Sequence, residues 1–491
     1  MEKLLLGIDF GTSTNYVTKY DFNKKDAIPV ANMGKFGGKN IFENCIYIEN
    51  EDNYVLGDRN KQAKDPLNFF QDIKRHIVSD TWEHRVPNLD SKAVSAQDIT
   101  RMIFETIKNK VETNENRNID GAVITVPYEY SDKYRKRLKK AAEAAGIRII
   151  KLVEEPVAAA ISFGIFSDKV EMNKEEKILV FDLGGGTFDI AIFKFKKNSK
   201  SKAVIEVLNT GGVKELGGKS IDELISKKFQ TELELDYSRI INEKERANLQ
   251  NDLDEKAKEL KEILTDNEEE EVYESFIVET ERKTLDREVT RKEFEGWLKD
   301  NNILGQIEDA LESVIYDIDL EPEDIDRIIL AGGTSSIPII KDMIKNFFGK
   351  EPESKKNLGE LVGHGAGILA GLSEDSTLDY EIKRKTAKAI GINKMNRLQK
   401  ILNKNTKYGE NTAKYPLKIN NSSATTIYFY EGESHKIEDS EKIGKAKIDI
   451  DKFKGGIIKI SLLKDETSGD IKYSFFDKED NLVNSDYIDE V

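Results

Sequence analysis

Residues 4–17 read LLLGIDFGTSTNYV and residues 178–193 read ILVFDLGGGTFDIAIF. Each is an apolar run that ends in an aspartate, turns through glycine and threonine, and sets off again as a second strand. The two aspartates, Asp9 and Asp182, stand 173 positions apart. That is far beyond any solenoid period, so a duplicated lobe is expected and not an array. A glycine-rich turn bares backbone N–H groups and lets a phosphate approach with no Cβ in the way. An aspartate beside that phosphate is repelled unless a cation stands between them, and Mg²⁺, which seeks oxygen ligands and keeps several waters, suits the place. Two such hairpins facing each other would clamp a di- or triphosphate, with Asp9 and Asp182 flanking one Mg²⁺ through its waters. One hairpin alone is equally an ordinary turn. The pair, with a third glycine turn LAGGTSS at 330–336, points to a phosphate site.

At 491 residues the chain exceeds a single core and is expected to divide into two to four domains. Ser95-x-x-Asp98 caps a helix with the apolar stripe Ile99, Ile103, Ile107 and Val111. DGAVITVP reads as a strand buried on both faces. A basic helix is capped at Ser131 and stops at Gly146, and EPVAAAISFG begins another with a proline in its first turn. From Lys177 the pattern restarts with the second hairpin, a strand at Ala203–Leu208, a turn at Gly217-Gly218 and a helix from about Ser220. A long charged helix over 242–265, a solvated DNEEEE loop, the strand DRIILAGG and a helix near Pro338 follow, and GELVGHGAGILAGL is a last small-residue helix. Beyond about Leu372 a polar connector leads to PLKINN, TTIYFYEG, KAKIDI and GIIKISLL, separated by Gly/Asn/Asp turns, an all-β module. The expected division is a nucleotide-binding unit at 1–375, a connector at 376–386 and a β-sandwich at 387–491. Within the first unit, one lobe takes about 1–176 with 359–375 and the other about 177–358.

The formal charge of −15 argues against a general affinity for nucleic acid or anionic membrane. Cys45 is the only cysteine, which excludes intrachain disulfides and fits a reducing compartment. His76, His84, His364 and His435 show no ligand-like spacing, so no transition-metal site is expected. The opening apolar run is too short for a signal peptide and nothing later reaches membrane-spanning length, so a cytoplasmic protein is expected.

GIDFGTST, FDLGGGTFD, LAGGTSSIP and the EEPVAAA helix are similar, in order and spacing, to the nucleotide-binding domain shared by actin, sugar kinases and the seventy-kilodalton heat-shock chaperones. Within that set VITVPYEYSDKYRKRLKKAAEAAGIRIIKLVEEPVAAAISFG follows the heat-shock pattern nearly residue for residue, and YFYEGESHKIEDSEKIGKAKI resembles part of their substrate-binding sandwich. The resemblance covers almost the whole chain. It implies an α/β, actin-like, two-lobed ATPase of duplicated ribonuclease H-like lobes, followed by a small all-β sandwich. It further implies slow Mg²⁺-dependent hydrolysis of ATP to ADP, unfolded or extended polypeptide bound by the sandwich, co-chaperones or a nucleotide-exchange factor as partners, and a monomer.

Carried over position by position, the resemblance gives Asp9 and Asp182 the hydrated Mg²⁺. Gly11, Thr12, Ser13 and Thr14, with Gly184, Gly185 and Gly186, would line the phosphates, and Thr187 would touch the γ-phosphate. Lys74 would position the attacking water, Glu155 would order the metal's water shell, and Asp182, with Asp189 as the alternative, would accept the water's proton. Gly218, Gly332 and Gly333 would approach the phosphates and nucleoside, beside Lys258, Lys261, Thr265 and Ser336.

The sequence also departs from that pattern. Two arginines sandwich adenine in the family, and Glu262 and Ser336 stand at those positions here, so weaker discrimination for adenine is expected. Gly359 stands where an acidic residue usually latches the lobes. The connector TLDYEIKRKT lacks the family's leucine-rich docking run, which predicts weak coupling between ATPase and sandwich or coupling by another route. No segment after the sandwich reads as a helical lid. Three other readings stay open: an ATPase whose sandwich docks a dedicated partner, a small-molecule kinase on the same core, and an actin-like filament former.

Overall fold

The computed structural model describes residues 2–490 other than 34–39, 60, 62–64, 164–173, 198–202, 235–242, 267–272, 280–283, 355–356, 375–379, 419–423, 450–452, 454–456 and 467. Strands β1 (Leu5–Phe10) and β2 (Thr14–Asp21) pair antiparallel with Asp9 opposite Tyr16. Helix α1 (Ala96–Glu115) starts at the expected box: Ser95 Oγ accepts from Asp98 N (3.2 Å) while Asp98 Oδ2 accepts from Ser95 N (2.9 Å). Its Ile99, Ile103, Ile107 and Val111 are buried. Strand β3 (Gly121–Val126) has every residue buried and pairs parallel with β1, as only a strand covered on both faces does. Helix α2 (Asp132–Ala144), capped by the Ser131 hydroxyl, leads to β4 (Ile149–Glu154), parallel to β3, and to the short helix α3 (Glu155–Ser162).

The second lobe repeats the arrangement. Strands β5 (Glu175–Leu183) and β6 (Phe188–Lys197) form the second hairpin, with Asp182 opposite Asp189. Strand β7 (Ala203–Val213) pairs antiparallel with β6 and runs five residues past the expected Leu208, because the ladder continues to Phe188 opposite Val213. Helices α4 (Gly218–Glu232) and α5 (Glu243–Asp266) follow; the DNEEEE loop, apart from Asp266, lies outside the described residues. A hairpin of Tyr273–Glu279 with Thr284–Thr290 and helices α6 (Arg291–Asp300) and α7 (Ile303–Tyr316) complete the outer layer. Strand β8 (Arg327–Ala331) pairs parallel with β5, as β3 does with β1. Each central strand thus has a parallel neighbour on one side and its hairpin partner on the other. Helix α8 (Pro338–Phe348) precedes α9 (Leu361–Leu372), whose small residues pack against β1, β2 and α3 of the first lobe. That approach is close enough that a Cβ on Gly365 would collide with the Ala158 carbonyl, and one on Gly7 with the backbone at Gly367.

The connector departs from expectation. Residues Tyr380–Lys383 form strand β9, which adds parallel to β7 as the edge of the second-lobe sheet, Tyr380 opposite Ala203. Tyr380 and Ile382 rest on the lobe core. The docking is done by backbone ladder and two apolar side chains, so it needs no leucine run. The sandwich then follows as β10 (Ala389–Lys394), β11 (Arg397–Leu402), β12 (Tyr415–Lys418), β13 (Ala424–Gly432), β14 (Glu441–Asp449), β15 (Ile457–Lys464), β16 (Ile471–Phe476) and β17 (Leu482–Tyr487). Their order is β11-β10-β13-β14 in one sheet and β12-β15-β16-β17 in the other, and Phe429, Ile460, Leu462 and Phe475 fill the space between.

The sandwich sits against the first lobe. Glu431 accepts from Asp132 N at the start of α2 (2.9 Å), Lys136 Nζ donates to the Ile488 carbonyl (3.0 Å), and Arg137 pairs with Glu490 (2.9 Å). Lys388 pairs with Glu129 (3.1 Å), and the Tyr128 hydroxyl donates to the Lys385 carbonyl (2.7 Å). Among the described residues no helix is long and apolar enough to cross a membrane.

Candidate functional site

The glycine turns of the two hairpins meet across the cleft between the lobes. A Cβ on Gly185 would overlap the Ser13 hydroxyl, and one on Gly186 the Thr12 side chain. Close backbone approach therefore explains glycine at both places. The second turn is closed by Gly184 N donating to Thr187 O (3.0 Å), and the Gly184 and Gly185 carbonyls accept from Gly218 N (3.0 Å) and Lys219 N (2.7 Å) at the start of α4. Thr334 Oγ1 donates to the same Gly184 carbonyl (2.8 Å), which ties the LAGGTSS turn to the hairpin. Gly332 sits at φ 76°, and a Cβ there would come within 2.7 Å of Asp182 Oδ1. On the first hairpin the Gly11 carbonyl accepts from Asn44 Nδ2 (2.6 Å).

Acidic groups collect behind these turns. Glu155, Asp182 and Asp189 are buried and Asp9 is partly so, with the buried Lys74 as the cation among them. Lys74 lies in a 3₁₀ turn, Ile73–His76, entered through Asp72 in the left-handed region, and its Nζ is 2.7 Å from Glu155 Oε1. Burial opposes the Lys74 charge, but Glu155, Tyr130 and Asp9 outweigh it and raise its pKa. Burial and the Glu155 charge push Asp9 up to about 7, against the pull of Lys74 and a 2.8 Å bond from Thr125 Oγ1. Burial, then Glu155 and Glu129, push Asp189 up to about 7, although its Oδ1 accepts from Tyr128 N (2.9 Å). Asp182 is raised well above the carboxylate range by burial, Glu155, Asp189 and Asp9.

This donor set fits Mg²⁺. Asp9, Asp182 and Asp189, whose proton affinities are raised by burial and by the Glu155 charge, crowd around one ammonium with more negative charge than the lobes neutralise, and a divalent cation would restore the balance. Among the described residues no three carboxylate, imidazole or thiol groups converge as direct ligands. Asp9 and Asp182 acting through the metal's own waters need no such convergence.

Outward from the turns the cleft is lined by Thr12, Ser13, Thr14 and Gly185, by Gly218, Gly333 and Ser336, and by Lys258, Lys261, Glu262 and Thr265 along α5. Lys261 is held by Asp222 (2.6 Å) and by the Gly218 carbonyl (3.2 Å). Lys258 reaches across the cleft to Glu43 (2.8 Å), which also holds Arg59 (3.1 Å). The sequence reading brought in neither Glu43 nor Arg59, Thr125, Asp222 or Thr334. Thr334 lay inside a quoted motif and was open to notice; the others are single polar residues with no spacing signal.

Two lobes of the same topology, paired glycine turns and an acidic floor define an actin-like ATPase fold. The family model for Hsp70 protein matches residues 5–463. The chain belongs to the Hsp70 family, whose members are ATP-binding chaperones and ATPases.

Proposed function

We propose that this chain hydrolyses ATP in a Mg²⁺-dependent reaction and that its sandwich binds extended polypeptide. The observation that carries the first part is the contact between the two glycine turns above the Lys74–Glu155 pair and its neighbouring aspartates. When bound, Mg²⁺ would supply positive charge to the phosphates, with Asp9 and Asp182 as the residues that hold its waters. The chain's own residues do the rest. The turn amides of Gly185–Thr187 and of Gly11–Thr14 cradle the phosphates, and Lys74, kept charged by Glu155, offsets negative charge at the transferring group. Asp182 is the favoured acceptor for the proton of the attacking water and Asp189 the alternative; burial and neighbouring carboxylates raise both above the usual carboxylate range, which makes either a stronger base than an exposed carboxylate.

For the sandwich, strand addition at a sheet edge with pockets for alternate side chains is the expected mode. Unfolded polypeptide, co-chaperones and an exchange factor are the proposed partners, and the cytoplasm the proposed compartment. The second reading, a sandwich that docks one dedicated partner, is favoured by the charged surface it already presents to the first lobe, Glu490 to Arg137 of α2 and Lys388 to Glu129 just before that helix. Steady-state hydrolysis with Mg²⁺ and with chelator, each with and without an unfolded polypeptide, separates these readings. Hydrolysis should vanish in chelator and fall at least about tenfold in Asp182→Asn. Wild-type turnover in chelator contradicts the metal assignment. Polypeptide binding without any sequence tolerance favours the dedicated partner.

A further inference from the structure

The acidic floor sets four carboxylates, Asp9, Glu155, Asp182 and Asp189, against one buried ammonium, Lys74. A second ammonium approaches from the other lobe. Lys214 is the first residue after β7, whose ladder with β6 pairs Asp189 with Gly212 and Phe188 with Val213. The next step of that register sets Lys214 level with Thr187, whose carbonyl closes the glycine turn by accepting from Gly184 N (3.0 Å). In the other direction Lys214 leads into the segment whose Gly218 and Lys219 amides bind the Gly184 and Gly185 carbonyls (3.0 and 2.7 Å). The backbone of Lys214 is therefore tied to the phosphate turn of the second lobe on both sides.

Its side chain reaches the first lobe. Lys214 Nζ lies 5.6 Å from the centre of the Tyr130 ring, and Lys74 Nζ lies 5.9 Å from the same centre. Tyr130 is buried and Lys214 is exposed. Among the described residues Lys214 has no carboxylate partner. An aromatic face holds an exposed ammonium only weakly. A phosphate oxygen holds it by a charge-assisted hydrogen bond, which is stronger, so a phosphate placed between the lobes would draw the ammonium off the ring.

We propose that Lys214 is a second catalytic lysine, whose ammonium moves from Tyr130 onto the γ-phosphate of bound ATP beside Thr187. The inference rests on the ATP hydrolysis proposed above. In that reaction the water oxygen bonds to the γ-phosphorus, the bond from phosphorus to the β-bridging oxygen breaks, and the water's proton passes to Asp182. Lys214 keeps its protons and supplies charge alone, on the flank of the phosphate that Lys74 does not cover. ADP has no γ-phosphate, so the contact favours ATP over ADP. The test compares the full wild-type chain with Lys214→Gln and Lys214→Arg in Mg²⁺, by single-turnover hydrolysis of ATP and by calorimetric affinities for ADP and a non-hydrolysable ATP analogue. Lys214→Gln should slow hydrolysis at least about tenfold and weaken the analogue roughly tenfold, while ADP binds as before. Lys214→Arg, which keeps the charge, should recover most of both. Wild-type hydrolysis and analogue affinity in Lys214→Gln overturn the inference and leave ATP hydrolysis itself standing. Equal weakening of ADP and the analogue also overturns it, because a contact with the γ-phosphate cannot act on ADP. A wild-type chain that binds neither nucleotide overturns the hydrolysis reading, and this inference with it.

Discussion

Lys74 shows how a single residue is defined by its surroundings. A lysine in FFQDIKRHIV has no distinctive local sequence, yet it is 2% exposed and held 2.7 Å from Glu155. Lys74→Ala should lower single-turnover hydrolysis by at least about a hundredfold, the scale of losing one preorganised charge beside a transferring group. Nucleotide binding measured by calorimetry should persist, because the glycine turns are intact. The same substitution strands Glu155 without its cation, at a cost to folding of about 3–5 kcal/mol, and Lys74→Met with Glu155→Gln should recover much of it in urea titrations. An unchanged single-turnover rate in Lys74→Ala removes the residue from the mechanism.

Among the elements, α9 is the most tightly constrained, because its glycines replace side chains where helix meets sheet. Gly365→Ala should destabilise the first lobe by about 3 kcal/mol, since the added methyl meets the Ala158 carbonyl and neither backbone can retreat without disturbing β1. Thermal unfolding checks this, and a melting temperature within 1 °C or so of the parent contradicts it. The paired hairpins and the capped helices were legible because each rests on a local requirement: an aspartate entering a glycine turn, Ser95 with Asp98, a proline opening α3. The hairpin of Tyr273–Glu279 and Thr284–Thr290 was not, because its strands are rich in charge and alternate weakly. The connector was misjudged for a related reason. EIKR reads as solvated, but β9 is held by main-chain pairing, which side-chain composition does not report. In the site, residues inside a glycine motif were found, whereas Glu43 and Arg59 belong to no motif and Glu43 meets Lys258 only across the cleft.

For the whole molecule, the relevant contact is that of the sandwich with both lobes, through β9 on β7 and through α2. Glu154, next in sequence to Glu155, pairs with Arg135 of α2 (3.1 Å) and approaches Arg384 of the connector (4.0 Å). The acidic floor is therefore one residue along the chain from a carboxylate that meets both α2 and the connector leading to the sandwich. Ile382→Asp puts a charge against the lobe core and should strip β9 from the sheet, seen as faster proteolysis within residues 380–388 and faster hydrogen exchange along α2. Exchange along α2 equal to that of the parent means the sandwich is held by the α2 contacts alone. The return of α9 to the first lobe carries a consequence for synthesis. β1 leaves the ribosome well before the surface that covers it, around Gly367, which is made only after the second lobe's helices and central strands. Apart from its edge strand β9, the second lobe has its sheet and helices contiguous in the chain and is free to fold while the first still waits with an apolar sheet face uncovered. During that interval a member of a chaperone family is itself a chain in need of protection.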